Sequence, residues 1–167
     1  QGASSAGWPG KQWPVDRWAG VADELIRSGL VVMLAGGPSD AGLVGELMAA
    51  MHERAINLVG RTSLAQLAAV IAGAALWMGS DSGGMHLAAA VGTPTVSLFG
   101  PTHPAKWAPP GTRNLVLRAN HDCSGCVAWH PRASCLQDGA CMKKISQADV
   151  VAAAFRQLEA VREPVNA

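Results

Sequence analysis

The chain has 167 residues, of which 49% are hydrophobic and 15% are charged, and its formal net charge is +1. This composition excludes an intrinsically disordered chain, which buries too little apolar surface to fold. The near-neutral charge excludes a basic surface of the kind that binds nucleic acid, so no nucleic acid partner is expected. The length suits one α/β domain with its own hydrophobic core.

The first half of the chain alternates between helical and strand patterns. Residues 15–26 repeat apolar residues at helical spacing, and Asp23 is assigned to the opposite, charged face of this helix. Gly29 is expected to end the helix. The continuous apolar run 30–36 then predicts a strand covered on both faces, and Pro38 suits the first turn of a second helix.

The second half continues the same alternation. Ser63 and Gln66 form a capping-box pattern that predicts the start of a third helix after a short strand. Further strand patterns occupy residues 75–80, 95–99 and 114–118. Ser146 is predicted to cap a C-terminal helix at 146–162. Strands alternating with helices at this spacing predict an α/β fold with a doubly wound, Rossmann-like parallel sheet.

Two turns rich in small residues, 36–40 and 79–86, are predicted to lie at the carboxyl ends of the strands, where doubly wound sheets bind ligands. Both open helices, whose free N–H groups attract anions.

In the second turn, Ser82, Gly83 and Gly84 leave room for a ligand phosphate to approach the backbone. A phosphate would repel Asp81, so its carboxylate is expected to face a hydroxyl or an N–H group. Capping of the helix by Asp81 or Ser82 is the alternative. His86 is interpreted either as a packed residue or as a donor to phosphate.

The sequence contains neither an apolar stretch long enough to span a membrane nor a signal-peptide pattern. A cytoplasmic protein is therefore expected, with peripheral attachment to the inner face of the inner membrane left open.

Several motifs together resemble glycosyltransferase family 9, the ADP-heptose–lipopolysaccharide heptosyltransferases. They are GKQWPVDRW, LAGGPSD, LVGRTSLAQLAAVIAGA and GSDSGGMHLAAAVGTPTVSLFGPTHP. The resemblance implies a GT-B glycosyltransferase, with residues 1–167 forming the C-terminal donor-binding domain and the N-terminal acceptor domain absent. It also implies ADP-heptose as the donor and the lipopolysaccharide core as the acceptor, which would be bound through the absent domain.

The resemblance also assigns roles to individual residues. Lys11 corresponds to a lysine that contacts donor phosphate, and Asp40 to an acidic residue that binds the ribose hydroxyls. Arg61 and Thr62 fall in the loop near the adenine, and Asp81 falls near the transferred sugar. The diphosphate turn corresponds to Ser82, Gly83 and His86. Without the resemblance, Lys11 would be interpreted as a surface lysine, and Asp40 as a helix-start acid competes with the ribose role.

Four cysteines lie close together within a loop at 121–142. They are Cys123, Cys126, Cys135 and Cys141, with His121 and His130 as additional candidate ligands. Four thiols in a reducing compartment favour a structural zinc or iron over disulfides, although the spacing departs from the usual zinc ribbon. A branch of the resembled family that heptosylates proteins has a four-cysteine iron site. Reduced thiols and disulfides formed on oxidation remain alternatives.

The resemblance therefore implies an inverting heptosyltransferase that needs no cofactor for its chemistry. The catalytic base is expected on the absent acceptor domain, with Asp81 as the alternative in this chain, so the isolated chain is expected to be inactive. Two other functions stay open: a non-catalytic nucleotide-binding or metal-stabilised interaction module, and a family 9 transferase acting on another acceptor such as protein.

Overall fold

The computed structural model of the chain describes residues 9–111, 113–126, 135 and 138–162. The strands are β1 (Met33–Leu34), β2 (Ile56–Asn57), β3 (Trp77–Ser80), β4 (Thr95–Phe99) and β5 (Asn114–Arg118). The helices are α1 (Val15–Arg27), α2 (Ala41–Ala50), α3 (Leu64–Ala72), α4 (Gly83–Ala90), α5 (Pro104–Trp107), α6 (Ala140–Lys143) and α7 (Gln147–Arg162). Short 3-10 helices lie at Pro9–Lys11 and Pro38–Asp40.

All strand pairs in the described part of the chain are parallel, which confirms the predicted parallel α/β fold. β1 pairs with β2, and β4 lies between β3 and β5 in a second sheet. The described strands thus form one two-stranded and one three-stranded sheet. Carboxyl ends of parallel strands share an edge, so the loops after these strands form one rim of each sheet.

Helix α1 confirms the predicted helix, but Asp23 is buried and not on the solvent-facing side of the helix. The apolar face buries Trp18, Val21 and Leu25, and Gly29 ends the helix in the left-handed region at φ +87°. Asp23 is only 2% exposed and is therefore not on a solvent-facing charged face. Its carboxylate accepts hydrogen bonds from backbone N–H groups beyond α2, a partner that helical periodicity does not reveal.

Strand β1 is much shorter than predicted. The apolar run 30–36 predicts a seven-residue strand, yet ladder pairing covers only Met33 and Leu34. Val31 in this run is 73% exposed, although the pattern predicts burial on both faces. Within the described ranges, β1 pairs only with β2 and only over these two residues, so an apolar run by itself does not fix the length of the strand.

The main core lies where α1 and α7 pack together. Trp13 and Trp18 meet edge to face, with ring centroids 4.9 Å apart, and the Trp13 indole N–H donates to the Ile145 carbonyl at 3.1 Å. Helix α7 is also tied to the sheet, because the buried Gln157 amide donates to the carbonyls of Thr95 and Arg113 at 3.1 and 3.0 Å. These contacts hold the segment before α1 against the C-terminal part of the chain.

Both predicted helix caps are confirmed. Ser63 Oγ accepts from the Gln66 N–H at 3.2 Å while Gln66 Oε1 accepts from the Ser63 N–H at 2.9 Å. Ser146 Oγ accepts from the Asp149 N–H at 3.1 Å at the start of α7. The short helices α5 and α6 were not predicted, because four residues are too few to show a periodic pattern. No helix in the described ranges has the length and apolar character needed to cross a membrane.

Candidate functional site

The turn between β3 and α4 lies at the carboxyl rim of the larger sheet. β3 ends at Ser80, and the Asp81 N–H still donates to the Leu98 carbonyl of β4 at 3.1 Å. The chain then turns through Ser82 into α4, so the first helical turn opens at the rim. Hydrogen bonds of the sheet fix the backbone up to Asp81, and helix α4 fixes the residues that follow Ser82.

Lys11 and Asp81 form an ion pair across this rim. The Lys11 ammonium donates to Asp81 Oδ2 at 2.9 Å, and the two side chains are 16% and 7% exposed. Seventy residues separate the partners in sequence, so only the fold brings them together. The family resemblance implies a ligand role for each residue, and in the structure the two side chains are each other's partners.

The first turn of α4 is open to solvent on the side of Gly83. A Cβ atom at Gly83 would meet nothing within 4 Å, so a ligand has access to this part of the backbone. Gly84 follows within the same turn. Ser82 is the N-cap residue with extended backbone, but α4 has no side-chain capping hydrogen bond within the described part of the chain. His86 is exposed, so the interpretation as a packed histidine is wrong.

Asp40 sits at the end of the 3-10 helix that follows β1. Its Oδ2 accepts from the Gly37 N–H at 2.9 Å, which is the geometry of the helix-start acid. A Cβ atom at Gly36 would lie 2.5 Å from the same oxygen, so the small residue is required for this close approach. The Asp40 carboxylate therefore already has a backbone partner within its own turn.

The loop after β2 lies beside the loop after β1. The Gly60 N–H donates to the Gly36 carbonyl at 3.1 Å, and Gly60 adopts φ +68° close to Pro38. Arg61 follows this contact and is exposed, and Thr62 is half-buried. The structure therefore brings Arg61 and Thr62 next to the 36–40 turn, as one group at the rim of the smaller sheet.

Two buried hydroxyls at the rim were not singled out from the sequence. Ser80 Oγ and Thr102 Oγ1 have no hydrogen-bond partner within the described ranges, and the residues are 0% and 3% exposed. An unsatisfied buried hydroxyl costs about 1–3 kcal/mol, so a ligand or water contact would be favourable. Ser80 is the last residue of β3, and Thr102 lies three residues after the end of β4. The sequence signal for Thr102 is its place in the segment Gly-Pro-Thr, residues 100–102, which is part of the last motif quoted above.

Comparison with known proteins identifies the family. Residues 2–136 match the sequence model of glycosyltransferase family 9 (heptosyltransferase). The chain belongs to glycosyltransferase family 9. This family 9 chain is 36% identical over 121 residues to lipopolysaccharide heptosyltransferase 1 of Pseudomonas aeruginosa, covering 72% of the chain and 34% of that relative.

Two solved structures share the fold of this family 9 chain. A family 9 glycosyl transferase from Veillonella parvula matches with a TM-score of 0.78 and 30% identity, over 95% of the chain and 44% of that protein. The E. coli ADP-heptose lipopolysaccharide heptosyltransferase II matches with a TM-score of 0.78 and 27% identity, over 96% and 46%. The chain thus spans about a third of the curated relatives that it matches and under half of these solved structures.

Two cysteines of this family 9 chain lie near the rim, and no disulfide joins the four. A Cβ atom at Gly10, the neighbour of Lys11, would lie 3.5 Å from Cys135 Sγ, and one at Gly100, just after β4, would lie 2.9 Å from Cys141 Sγ. Cys123 Sγ lies 3.2 Å from His121 Nδ1, and Cys135 Sγ accepts from the Gly139 N–H at 3.0 Å. Cys141 is buried, and burial together with the neighbouring Cys123 and Cys135 raises the pKa of its thiol to about 12. Three of the thiols are therefore close enough to influence one another.

The metal prediction for these cysteines rests on their sequence pattern. The described residues, which omit His130, contain no group of three or more His, Cys, Asp or Glu side chains that could hold a metal ion. A metal binds the thiolate form of cysteine, so a metal at Cys141 would have to displace the proton that burial favours. Zinc or iron at Cys123, Cys126, Cys135 and Cys141 therefore stays a sequence prediction that metal analysis tests.

Proposed function

We propose that the chain is the donor-binding half of a heptosyltransferase that takes heptose from ADP-heptose and transfers it to the lipopolysaccharide core. The Lys11–Asp81 ion pair beside the open start of α4 carries this proposal. It joins a cation suited to a diphosphate with a carboxylate suited to sugar hydroxyls. Family membership and the names of the matched relatives support the reaction class.

Lys11 and the start of α4 would bind the diphosphate. The ammonium is held at the rim by Asp81, and the first-turn N–H groups around Gly83 are accessible. When the glycosidic bond breaks, negative charge develops on the diphosphate. Preorganised cations and N–H groups at that position stabilise the developing charge without needing to reorganise. This chain would therefore stabilise the leaving group.

Asp81 would hold sugar hydroxyls and is poorly suited to be the catalytic base. Its carboxylate is paired with Lys11 at 2.9 Å, and the residue is only 5% exposed. In an inverting transfer, the base removes the proton of the acceptor hydroxyl on the face opposite the diphosphate. We infer that a residue outside this chain supplies that base, on the wall of the cleft that binds the acceptor.

The nucleoside would occupy the rim of the smaller sheet. The 36–40 turn and the loop at Arg61 and Thr62 are held together through the Gly60–Gly36 hydrogen bond. Ribose hydroxyls would replace the Gly37 N–H as donors to Asp40, whose present bond to Gly37 is part of a local turn. Backbone groups of the Arg61 loop would contact the adenine.

Titration calorimetry of the chain with ADP, GDP and UDP tests the donor assignment. ADP should bind more tightly than the other two nucleotides, and equal or absent binding of all three would contradict an adenine site. Lys11→Met should weaken ADP binding by about 1.5–3 kcal/mol, the value of a hydrogen bond to a charged group. Lys144→Met, which changes an exposed lysine after α6, is the matched control and should leave ADP affinity unchanged.

A second experiment separates the sugar role of Asp81 from a catalytic one. Asp81→Asn should reduce the ratio of the ADP-heptose affinity to the ADP affinity, and the ratio is the measured quantity because loss of the ion pair with Lys11 also changes ADP binding itself. The isolated chain should transfer no heptose to a heptose-deficient lipopolysaccharide, because half a cleft cannot position both substrates. Turnover by the isolated chain that Asp81→Asn abolishes would instead make Asp81 the base.

A further inference from the structure

A cleft of about 430 Å³ lies between the end of β5 and the first turns of α7. Three of its lining residues, Arg118, Lys144 and Arg156, are positively charged, and Asp149 is the one that is negatively charged. The remaining lining residues are apolar, and three of them are alanines. The lining therefore has a net charge of +2, whereas the formal net charge of the whole chain is +1. This concentration of positive charge suits an anionic ligand.

The cations of this cleft have no carboxylate partner among the described residues. Arg118 donates one guanidinium N–H to the Ser124 carbonyl at 2.9 Å, which leaves its other N–H groups for a ligand. The side chains of Lys144 and Arg156 are exposed and form neither a hydrogen bond nor an ion pair within the described ranges. Because like charges around one cleft repel each other, an anion bound between them would remove an unfavourable interaction.

The sheet places this cleft on the same rim as the candidate donor site. Arg118 pairs with Phe99 in the ladder between β5 and β4, and the Asp81 N–H donates to the Leu98 carbonyl on the other side of β4. Two strand spacings, roughly 10 Å, therefore separate the backbone of Arg118 from that of Asp81. Gln157 holds the later part of α7 at the amino ends of β4 and β5, so the start of α7 lies at the carboxyl rim.

We propose that the cleft between β5 and α7 binds a phosphorylated sugar. The guanidinium groups of Arg118 and Arg156 bind the phosphate, because their planar arrays of N–H donors match the geometry of phosphate oxygens. The Lys144 ammonium contributes a third positive charge. This site is separate from the proposed donor site and does not depend on the donor assignment.

The rest of the lining favours a sugar as the carrier of the phosphate. A sugar ring presents apolar C–H groups, which suit the alanine side chains, and hydroxyl groups, which suit the Asp149 carboxylate. Asp149 Oδ2 accepts from Ser146 Oγ at 2.6 Å, and a carboxylate has further lone pairs that can accept from a sugar hydroxyl. A lipid acyl chain would instead place hydrocarbon beside this charged carboxylate. Inorganic phosphate would leave the apolar part of the lining in contact with water.

Titration with glucose 6-phosphate, followed by NMR at low salt, tests the proposal. Inorganic phosphate and the short-chain lipid dihexanoyl phosphatidic acid are titrated into the same protein. Glucose 6-phosphate should bind about 10-fold more tightly than either of them, a difference of about 1.4 kcal/mol. The amide signals that move should include those of Arg118, Ala119 and Ala153. Binding of inorganic phosphate or of the lipid that equals or exceeds that of glucose 6-phosphate would overturn the assignment of a sugar.

A matched pair of arginine variants shows whether the sugar phosphate lies in the cleft. Arg156 and Arg54 are both exposed, but only Arg156 lines the cleft. Arg156→Gln should weaken the binding of glucose 6-phosphate by about 10-fold, the effect of losing one charge-assisted hydrogen bond at an exposed site. Arg54→Gln removes the same charge elsewhere and should change the affinity by less than about twofold. Equal affinities of the two variants would overturn the proposal.

ADP titration of the same samples separates this proposal from the proposed donor function. Saturating ADP should change the affinity for glucose 6-phosphate by less than about twofold, because salt screens two sites that lie roughly 10 Å apart. Lys144→Met should likewise weaken glucose 6-phosphate and not ADP. Displacement of glucose 6-phosphate by ADP would overturn a separate site. If ADP does not bind and Arg156→Gln still weakens glucose 6-phosphate, the donor assignment fails and the sugar phosphate site stands.

Discussion

Replacing Asp23 by alanine should destabilise the chain by about 2–3 kcal/mol, an estimate based on hydrogen bonds to a charged acceptor. The side chain is 3% exposed, and its carboxylate accepts from the backbone N–H of His52 at 3.0–3.1 Å and of Glu53 at 2.9 Å. His52 Nδ1 lies 3.0 Å from the same carboxylate. These contacts tie α1 to the segment after α2. The estimate is below the sum of individual bonds, because water can reach the exposed His52 and Glu53 segment once Asp23 is removed.

The loss of stability caused by Asp23→Ala should become smaller as the pH is lowered. Burial raises the pKa of Asp23, but hydrogen bonds from the His52 and Glu53 amides and from the His52 ring outweigh it and leave the pKa below the ordinary 3.8. A carboxyl group with a lowered folded-state pKa stabilises the protein in full above its unfolded pKa. That stabilisation is lost as the pH falls through the folded-state pKa. The difference between wild type and Asp23→Ala should therefore be constant near neutrality and shrink below about pH 4.

Urea unfolding followed by circular dichroism, at pH 7 and pH 3, measures both effects. Glu24→Ala is the control, because Glu24 is the exposed neighbour on the same helix. Its cost should stay within about 0.5 kcal/mol. The reasoning fails if Asp23→Ala costs no more than Glu24→Ala at pH 7. It also fails if the cost of Asp23→Ala grows as the pH is lowered to 3.

Two other predictions concern packing and the cysteines. Gly100→Ala should destabilise the chain by about 1–3 kcal/mol, because its Cβ would lie 2.6 Å from the Met142 sulfur. Gly45→Ala, in an exposed turn of α2 with nothing within 4 Å, should stabilise it by about 0.5–1 kcal/mol, and denaturant titration measures both. Elemental analysis of protein purified under reducing conditions tests the metal prediction. Stoichiometric zinc or iron that Cys123→Ser removes would confirm it, and metal-free folded protein would contradict it.

The sequence predicts the elements of this fold better than the contacts between them. Apolar periodicity locates α1, and short-range cap patterns such as Ser63 with Gln66 locate helix starts, because these interactions are local. The length of β1 depends on which strands lie beside it, so the apolar run 30–36 alone predicts too long a strand. The burial of Asp23 likewise depends on backbone groups about thirty residues away.

In the candidate site, too, local features could be predicted from the sequence, whereas contacts between distant residues could not. Gly-rich turns at strand ends identify the rim from sequence alone, since their backbone freedom and helix starts are local properties. Resemblance to a family singles out Lys11 and Asp81 separately, but it does not reveal that they form an ion pair. The buried hydroxyl of Thr102 is invisible in sequence because an unsatisfied group is defined by what surrounds it.

The Lys11–Asp81 pair has a consequence for discrimination among anions. A solitary ammonium at the rim would attract chloride, sulfate and inorganic phosphate, all of which compete with a sugar nucleotide in the cell. Here the charge is already balanced at 2.9 Å, and separating two such partly buried charges costs several kcal/mol. A simple anion could compensate Lys11 but would leave Asp81 without a donor. A ligand that presents a diphosphate and hydroxyl groups together could satisfy both residues, so we expect the pair to reject common anions and accept glycosylated diphosphates.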